Sequence, residues 1–152
     1  MKKIFTLILA IALMASLSVT AFAANSAGGN ADITTSIAPT YTVTIPADVN
    51  VQFNATKTAF GAIEVTASQI HPDKCIKVEL TSDGKLENSI DATEVIPYAI
   101  KDSTGAAFTS ATYLSEGDKT ELSIHITADD WNAAYAGEYS DTVTFTLTVK
   151  TN

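Results

Sequence analysis

The chain contains no arginine. Its nine basic residues are all lysine, set against 17 Asp and Glu in 152 residues. Nucleic-acid binding needs clustered cations that displace phosphate counterions, and docking on anionic lipid needs a basic patch. The composition therefore speaks against both partners. A single cysteine, Cys75, excludes a disulfide framework within the monomer, and no CxxC or Cys/His cluster is present for structural zinc. The two histidines, His71 and His125, are far apart and lack i, i+4 or HxH spacing, a weak metal signal. Neither G-x-S-x-G nor H-E-x-x-H occurs, and no DxDxDG loop is present for calcium. No catalytic residue, cofactor or metal is expected.

What is present begins with a leader. Lys2 and Lys3 are followed by an almost continuous apolar run from Ile4 to Val19 and a small-x-small site at Ala21-Phe22-Ala23. These are the parts of a secretory signal peptide over residues 1–23, whose cleavage leaves 129 residues. No lipoprotein cysteine stands at that point, and no second apolar stretch follows, so no membrane association is expected after cleavage. The exported chain keeps seven lysines against 17 acids, a net charge of −10. Over all 152 residues the hydrophobic content is 46%, which excludes wholesale disorder.

Residues 24–39 read as a flexible extension, opening with the Gly-rich ANSAGGN. From residue 40 to 150 the period is two. Tyr41, Val43 and Ile45 alternate with threonines, as do Val143, Phe145, Leu147 and Val149. The same alternation marks Val49–Phe53, Ile63–Val65, Ile76–Leu80 and Leu122–Ile126, while Val95–Ile100 is an apolar run interrupted by Pro97. Turn chemistry separates these runs at Pro46-Ala47-Asp48, Asp83-Gly84 (read as a hairpin turn), Ser103-Thr104-Gly105 and Glu116-Gly117-Asp118. About seven strands without a long helical pattern predict an all-β fold, a two-sheet antiparallel sandwich. Only Ala128–Ala136 breaks the pattern. There Asp129 or Asp130 is expected to cap one helical turn, with Trp131 and Tyr135 tucked against the sandwich edge. Gly137-Glu138-Tyr139 carries the spacing of a tyrosine corner, whose phenol bonds back to main chain.

Two stretches carry a family likeness: Tyr41-Thr42-Val43-Thr44-Ile45-Pro46-Ala47, and Asp130-Trp131 with Ala136-Gly137-Glu138-Tyr139-Ser140-Asp141-Thr142 leading into a Thr-rich strand. Together they resemble small secreted immunoglobulin-like sandwiches of bacterial cell surfaces, including the spore-coat-U and fimbrial-adhesin type of domain. The resemblance implies a structural or adhesive surface subunit, sometimes assembled by exchange of an N-terminal strand. The cysteine pair usual in chaperone-assembled members is missing, which counts against chaperone–usher assembly.

Several groups invite a functional reading beside a plainer one. Ile33, Thr35 and Ile37 share one face of a short extended segment ended by Pro39. They are either the first strand of their own sandwich or a donor strand for the open edge of the next subunit. The threonine rows read as ordinary solvated sheet. Trp131 and Tyr135, flanked by Asp129, Asp130 and Asn132, form a candidate glycan contact or a core plug. Asp129, Asp130, Glu138 and Asp141 read as plain acidic surface before they read as a calcium site. The alternation puts Cys75 on the wet face with Lys77 and Glu79, where it is a candidate intermolecular thiol; the alternative is a strand-start cysteine covered by a loop. The expected function is a secreted, non-enzymatic cell-surface or extracellular-matrix protein working by adhesion or self-association, pilin- or coat-like. The alternative is a small carbohydrate-binding module. The expected partners are further copies of the chain, another surface protein, or a glycan.

Overall fold

The computed structural model describes residues 32–152, so the signal peptide and the ANSAGGN lead-in lie outside the described residues. The chain divides into Met1–Ala38 and a compact unit, Pro39–Asn152. Residues 32–38 hold no helix or strand, and every strand among the described residues belongs to the second unit. These are β1 (Thr40–Thr44), β2 (Lys57–Gln69), β3 (Lys74–Thr81), β4 (Lys85–Asn88), β5 (Val95–Pro97), β6 (Ala99–Asp102), β7 (Ser110–Tyr113), β8 (Lys119–His125), β9 (Tyr139–Ser140) and β10 (Thr144–Thr151). One short helix, α1 (Ala128–Ala133), stands between β8 and β9.

The fold is all-β and antiparallel, a sandwich as the period-two pattern predicts. One sheet runs β1–β2–β8–β6 and the other β10–β3–β7; a small third sheet, β5–β4–β9, was not legible in the sequence. Alternation supplies the core, because every second side chain of a strand points to the same face. Ile63 and Val65 of β2, Ile76 and Val78 of β3, Ile100 of β6, and Leu122 and Ile124 of β8 are buried together, with Ile96, Phe108, Tyr113, Ile126 and Trp131. Each fully buried aliphatic side chain is worth about 1.5–3 kcal/mol relative to exposure. With no disulfide among the described residues, this burial is what joins the sheets.

Local departures from the expected strands have local causes. Val49–Phe53 is not a strand. Asn54 adopts a left-handed φ of 65° and Ala55 N–H donates to Gln52 O at 3.0 Å, so a turn replaces the alternation and leaves Phe53 exposed. The run Val95–Ile100 serves two sheets. Pro97 ends β5, Tyr98 N–H donates to Gly84 O at 2.8 Å, and β6 restarts at Ala99 in the four-stranded sheet. Asp83-Gly84 is not a hairpin turn either. It links β3 to β4 in a different sheet, with Gly84 at φ 72° and the Asp83 carboxylate accepting from Lys85 N–H. Finally, neither Asp129 nor Asp130 caps α1. Thr127 does so, accepting Asp130 N–H at 3.1 Å while its own hydroxyl donates to the Asp130 carboxylate.

Candidate functional site

A sandwich of open sheets leaves strand edges with unpaired main-chain groups, so each edge has to be protected or used. β1 is five residues long, has a register shift between Thr42 and Val43, and is soon followed by Pro46. β5 carries Pro97, and β9 has two residues. The flank bearing β6 and β7 is sealed by the chain itself. Phe108 N–H donates to Ile100 O at 2.9 Å, Lys101 bridges to Ala107, and Leu80 N–H donates to Thr109 O at 2.8 Å. β10 has none of these devices. It runs eight residues in unbroken register with β3, from Thr144 opposite Thr81 to Thr151 opposite Lys74. Its other side has no strand partner among the described residues. It contains no proline and one charged residue, Lys150.

The apolar face beside this edge is only partly covered. Phe145 of β10 meets Phe60 of β2 at 6.2 Å between ring centroids, which sets β10 against the β1–β2 side of the facing sheet. Tyr41, Val43, Phe145 and Leu147 are half-buried, and Val149 is exposed to 37%. The opposite flank buries Ile100, Phe108 and Tyr113. On the wet face of β10, Thr144 and Thr146 are exposed, while the Thr148 hydroxyl is covered without a hydrogen-bond partner.

The segment singled out as a candidate donor strand holds no regular structure over residues 32–38; Ile33 is 98% exposed, Ile37 73%, and Thr35 is exposed as well. Cys75 departs from its expected wet face. It is 5% exposed, and its Sγ lies 3.7 Å from Lys150 O of the neighbouring strand. The alternation misplaced it because Cys75 and Ile76 at the start of β3 are both buried. An intermolecular disulfide would have to uncover this thiol.

The two candidate glycan contacts stand in different surroundings. Trp131 is 9% exposed, donates Nε1–H to Ala55 O at 3.0 Å and meets Phe53 edge-on at 5.6 Å, so its ring plugs the core. Tyr135 lies beyond the end of α1 and is exposed. Tyr139 donates its hydroxyl to Tyr135 O at 3.0 Å, the back-bond expected of a tyrosine corner. Gly137 permits the close approach here, because a Cβ would sit 2.3 Å from Asn88 Nδ2.

One polar cluster escaped sequence reasoning because its members are up to 59 positions apart. Ser82 Oγ lies 2.7 Å from Tyr98 Oη and 3.1 Å from Asp141 Oδ2, and Tyr98 also donates to Asp141. Burial, with the Asp141 carboxylate accepting from the phenol, pushes Tyr98 up to about 12. This ties the end of β3 to the β5–β6 junction and the lead into β10, beside a shallow recess of about 220 Å³. Asp130 is turned to Thr127 and Asp141 to this cluster; among the described residues no group of three or more His, Cys, Asp or Glu is placed to hold a metal ion. His71 faces Asp73 on an exposed turn, and no helix among the described residues is long and apolar enough to cross a membrane.

No protein-family model matches the chain, and no curated protein matches it. One similar solved structure is a chaperone–tip adhesin complex, described as vital for synergistic activation of CFA/I fimbriae biogenesis. The similarity has a TM-score of 0.45 and 13% identity over 71% of this chain, which spans 42% of the length of that one.

Proposed function

We propose that this is an exported, non-enzymatic cell-surface or extracellular-matrix subunit that acts by self-association at the free edge of β10. The observation that supports it is an unprotected eight-residue edge strand beside a half-covered apolar seam. The occupant is the segment 32–38 of a second copy, whose Ile33 and Ile37 are unpacked in the single chain. Seven extended residues reach about 23 Å, close to the about 27 Å of β10. Main-chain bonds supply affinity, and the alternate side chains Ile33, Thr35 and Ile37 supply fit to the seam. Donor and acceptor surfaces differ, so the contact is head-to-tail and builds an open filament.

Light scattering of the chain from residue 24, with and without residues 24–39, tests this. The longer form should gain mass with concentration, and more so with added salt, because subunits of net charge −10 repel. The shorter form should stay monomeric. Equal monomeric behaviour in both discards the proposal.

A further inference from the structure

The lysines are not used evenly. Among the described residues, Lys74 pairs with Asp73, Lys77 with Glu79 and Lys119 with Glu121. Within the described residues, which hold 17 acids, Lys57, Lys85, Lys101 and Lys150 form no ion pair. Two of these four meet around one histidine. In the antiparallel register His125 of β8 stands opposite Lys57 of β2 on one side and Ala99 of β6 on the other. Ser123, two residues back, stands opposite Ala59 and Lys101. Leu122, Ile124 and Ile100 point into the core, so Lys57, Lys101, Ser123 and His125 share the outer face of the sheet. Directly opposed side chains have Cβ atoms about 5 Å apart and diagonal ones about 7–8 Å, within reach of two lysine stems. Ala59 and Ala99 keep the floor between them low.

The site is organised beneath its charges. Ser123 is buried, with Oγ 3.0 Å from His125 Nε2 and 3.4 Å from Lys101 O. Among the described residues no hydrogen bond reaches His125 Nδ1, because the Ser123 contact is made by Nε2, which leaves that edge of the ring for a ligand. Desolvation, then Lys101 and Lys57, hold the imidazole below its ordinary value, so both ammonium groups act on it electrostatically. The carboxylates of β6 and β8 are engaged: Glu121 with Lys119, and Asp102 with Thr104 and Ala106 N–H in its own turn.

We propose that Lys57, Lys101 and His125 form a binding site for the sulfate or phosphate ester groups of an acidic polysaccharide. A tetrahedral oxyanion offers three oxygens to three donors converging from β2, β6 and β8. Lys57 is exposed and Lys101 and His125 are half-buried on the outer face of the sheet, which suits a polymer crossing the sheet better than an enclosed ion. Net acidity does not forbid this. At physiological salt the screening length is about 8 Å, so remote carboxylates are damped while donors in contact are not. The site lies on the four-stranded sheet and β10 on the other, so loss of self-association leaves this inference standing.

The test follows His125 resonances by NMR in the exported chain as dextran sulfate is added at physiological salt. Binding should shift them and raise the His125 pKa, because a bound anion favours imidazolium. Lys57→Gln with Lys101→Gln should weaken binding about tenfold. Unmodified dextran should move nothing, and Lys85→Gln with Lys150→Gln should leave the affinity unchanged. The proposal is overturned if the first double variant binds as tightly as the parent, or if the second loses as much. It also fails if inorganic sulfate binds as tightly as the polymer.

Discussion

Phe60 on β2 and Phe145 on β10 set their rings 6.2 Å apart and tilted by 35°, which joins the edge strand to the facing sheet on its half-covered flank. Full truncation of a buried phenylalanine costs about 3–5 kcal/mol, but Phe145 is only half-buried. Phe145→Ala should therefore lower stability by about 2 kcal/mol in urea unfolding. Amide exchange should accelerate along β10 before it does along β2. A change under about 0.5 kcal/mol, the scale of an indifferent surface substitution, would show that the rings do not hold the flank.

Trp131 and Tyr135 should separate sharply. Trp131 lies in the core with its Nε1–H bonded to Ala55 O, so Trp131→Ala should cost about 3–5 kcal/mol. Tyr135 presents its ring to solvent, and Tyr135→Ala keeps the carbonyl that accepts from Tyr139; its stability should stay within about 0.5 kcal/mol of the parent. Urea midpoints of the two variants check this. Similar losses in both would mean that α1 and the following turn pack as one unit.

The sandwich was legible because Ile76–Leu80 and Val143–Val149 alternate without interruption, and alternation is a direct record of one wet and one buried face. The tyrosine corner was legible because its donor and acceptor are four residues apart. Cys75 was left between a wet-face and a covered strand-start reading because parity fails where both faces of a strand start are covered. Phe53 was misread because an aromatic in a turn resembles one in a strand, and the left-handed Asn54 leaves only a weak trace in composition. The Lys57–His125–Lys101 group was invisible for a different reason. Its members sit on three strands, and only the register, including the shift between Ala59 and Gly61, brings them to one face.

Thr148 offers a stabilising change. Its hydroxyl is covered on the outer face of β10 without a partner, and an unsatisfied buried polar group costs about 1–3 kcal/mol. Thr148→Val keeps the β-branched shape that suits the strand and removes the hydroxyl. Stability should rise by about 1 kcal/mol. A loss instead would mean that the hydroxyl is paired in solution.

The pH dependence of folding should carry the signature of His125. Desolvation, Lys101 and Lys57 lower its pKa in the folded chain from 6.5. Between its folded and unfolded values the unfolded chain binds more protons, so stability rises with pH in that window. The favourable condition is fully present above the unfolded value and is lost as pH falls through 6.5 toward the folded value. Asp91, Asp102 and Asp118 are also lowered by hydrogen bonds, yet their window begins below the carboxylate reference of 3.8. The two contributions are therefore separated on the pH axis. Urea midpoints of the parent should fall on acidification from about pH 7.5 to 5.5, and His125→Gln should flatten that segment while leaving the acid limb in place. A parent that gains stability across the same interval would mean that imidazolium is favoured at this position, reversing the reading of Lys57 and Lys101 as its unneutralised neighbours.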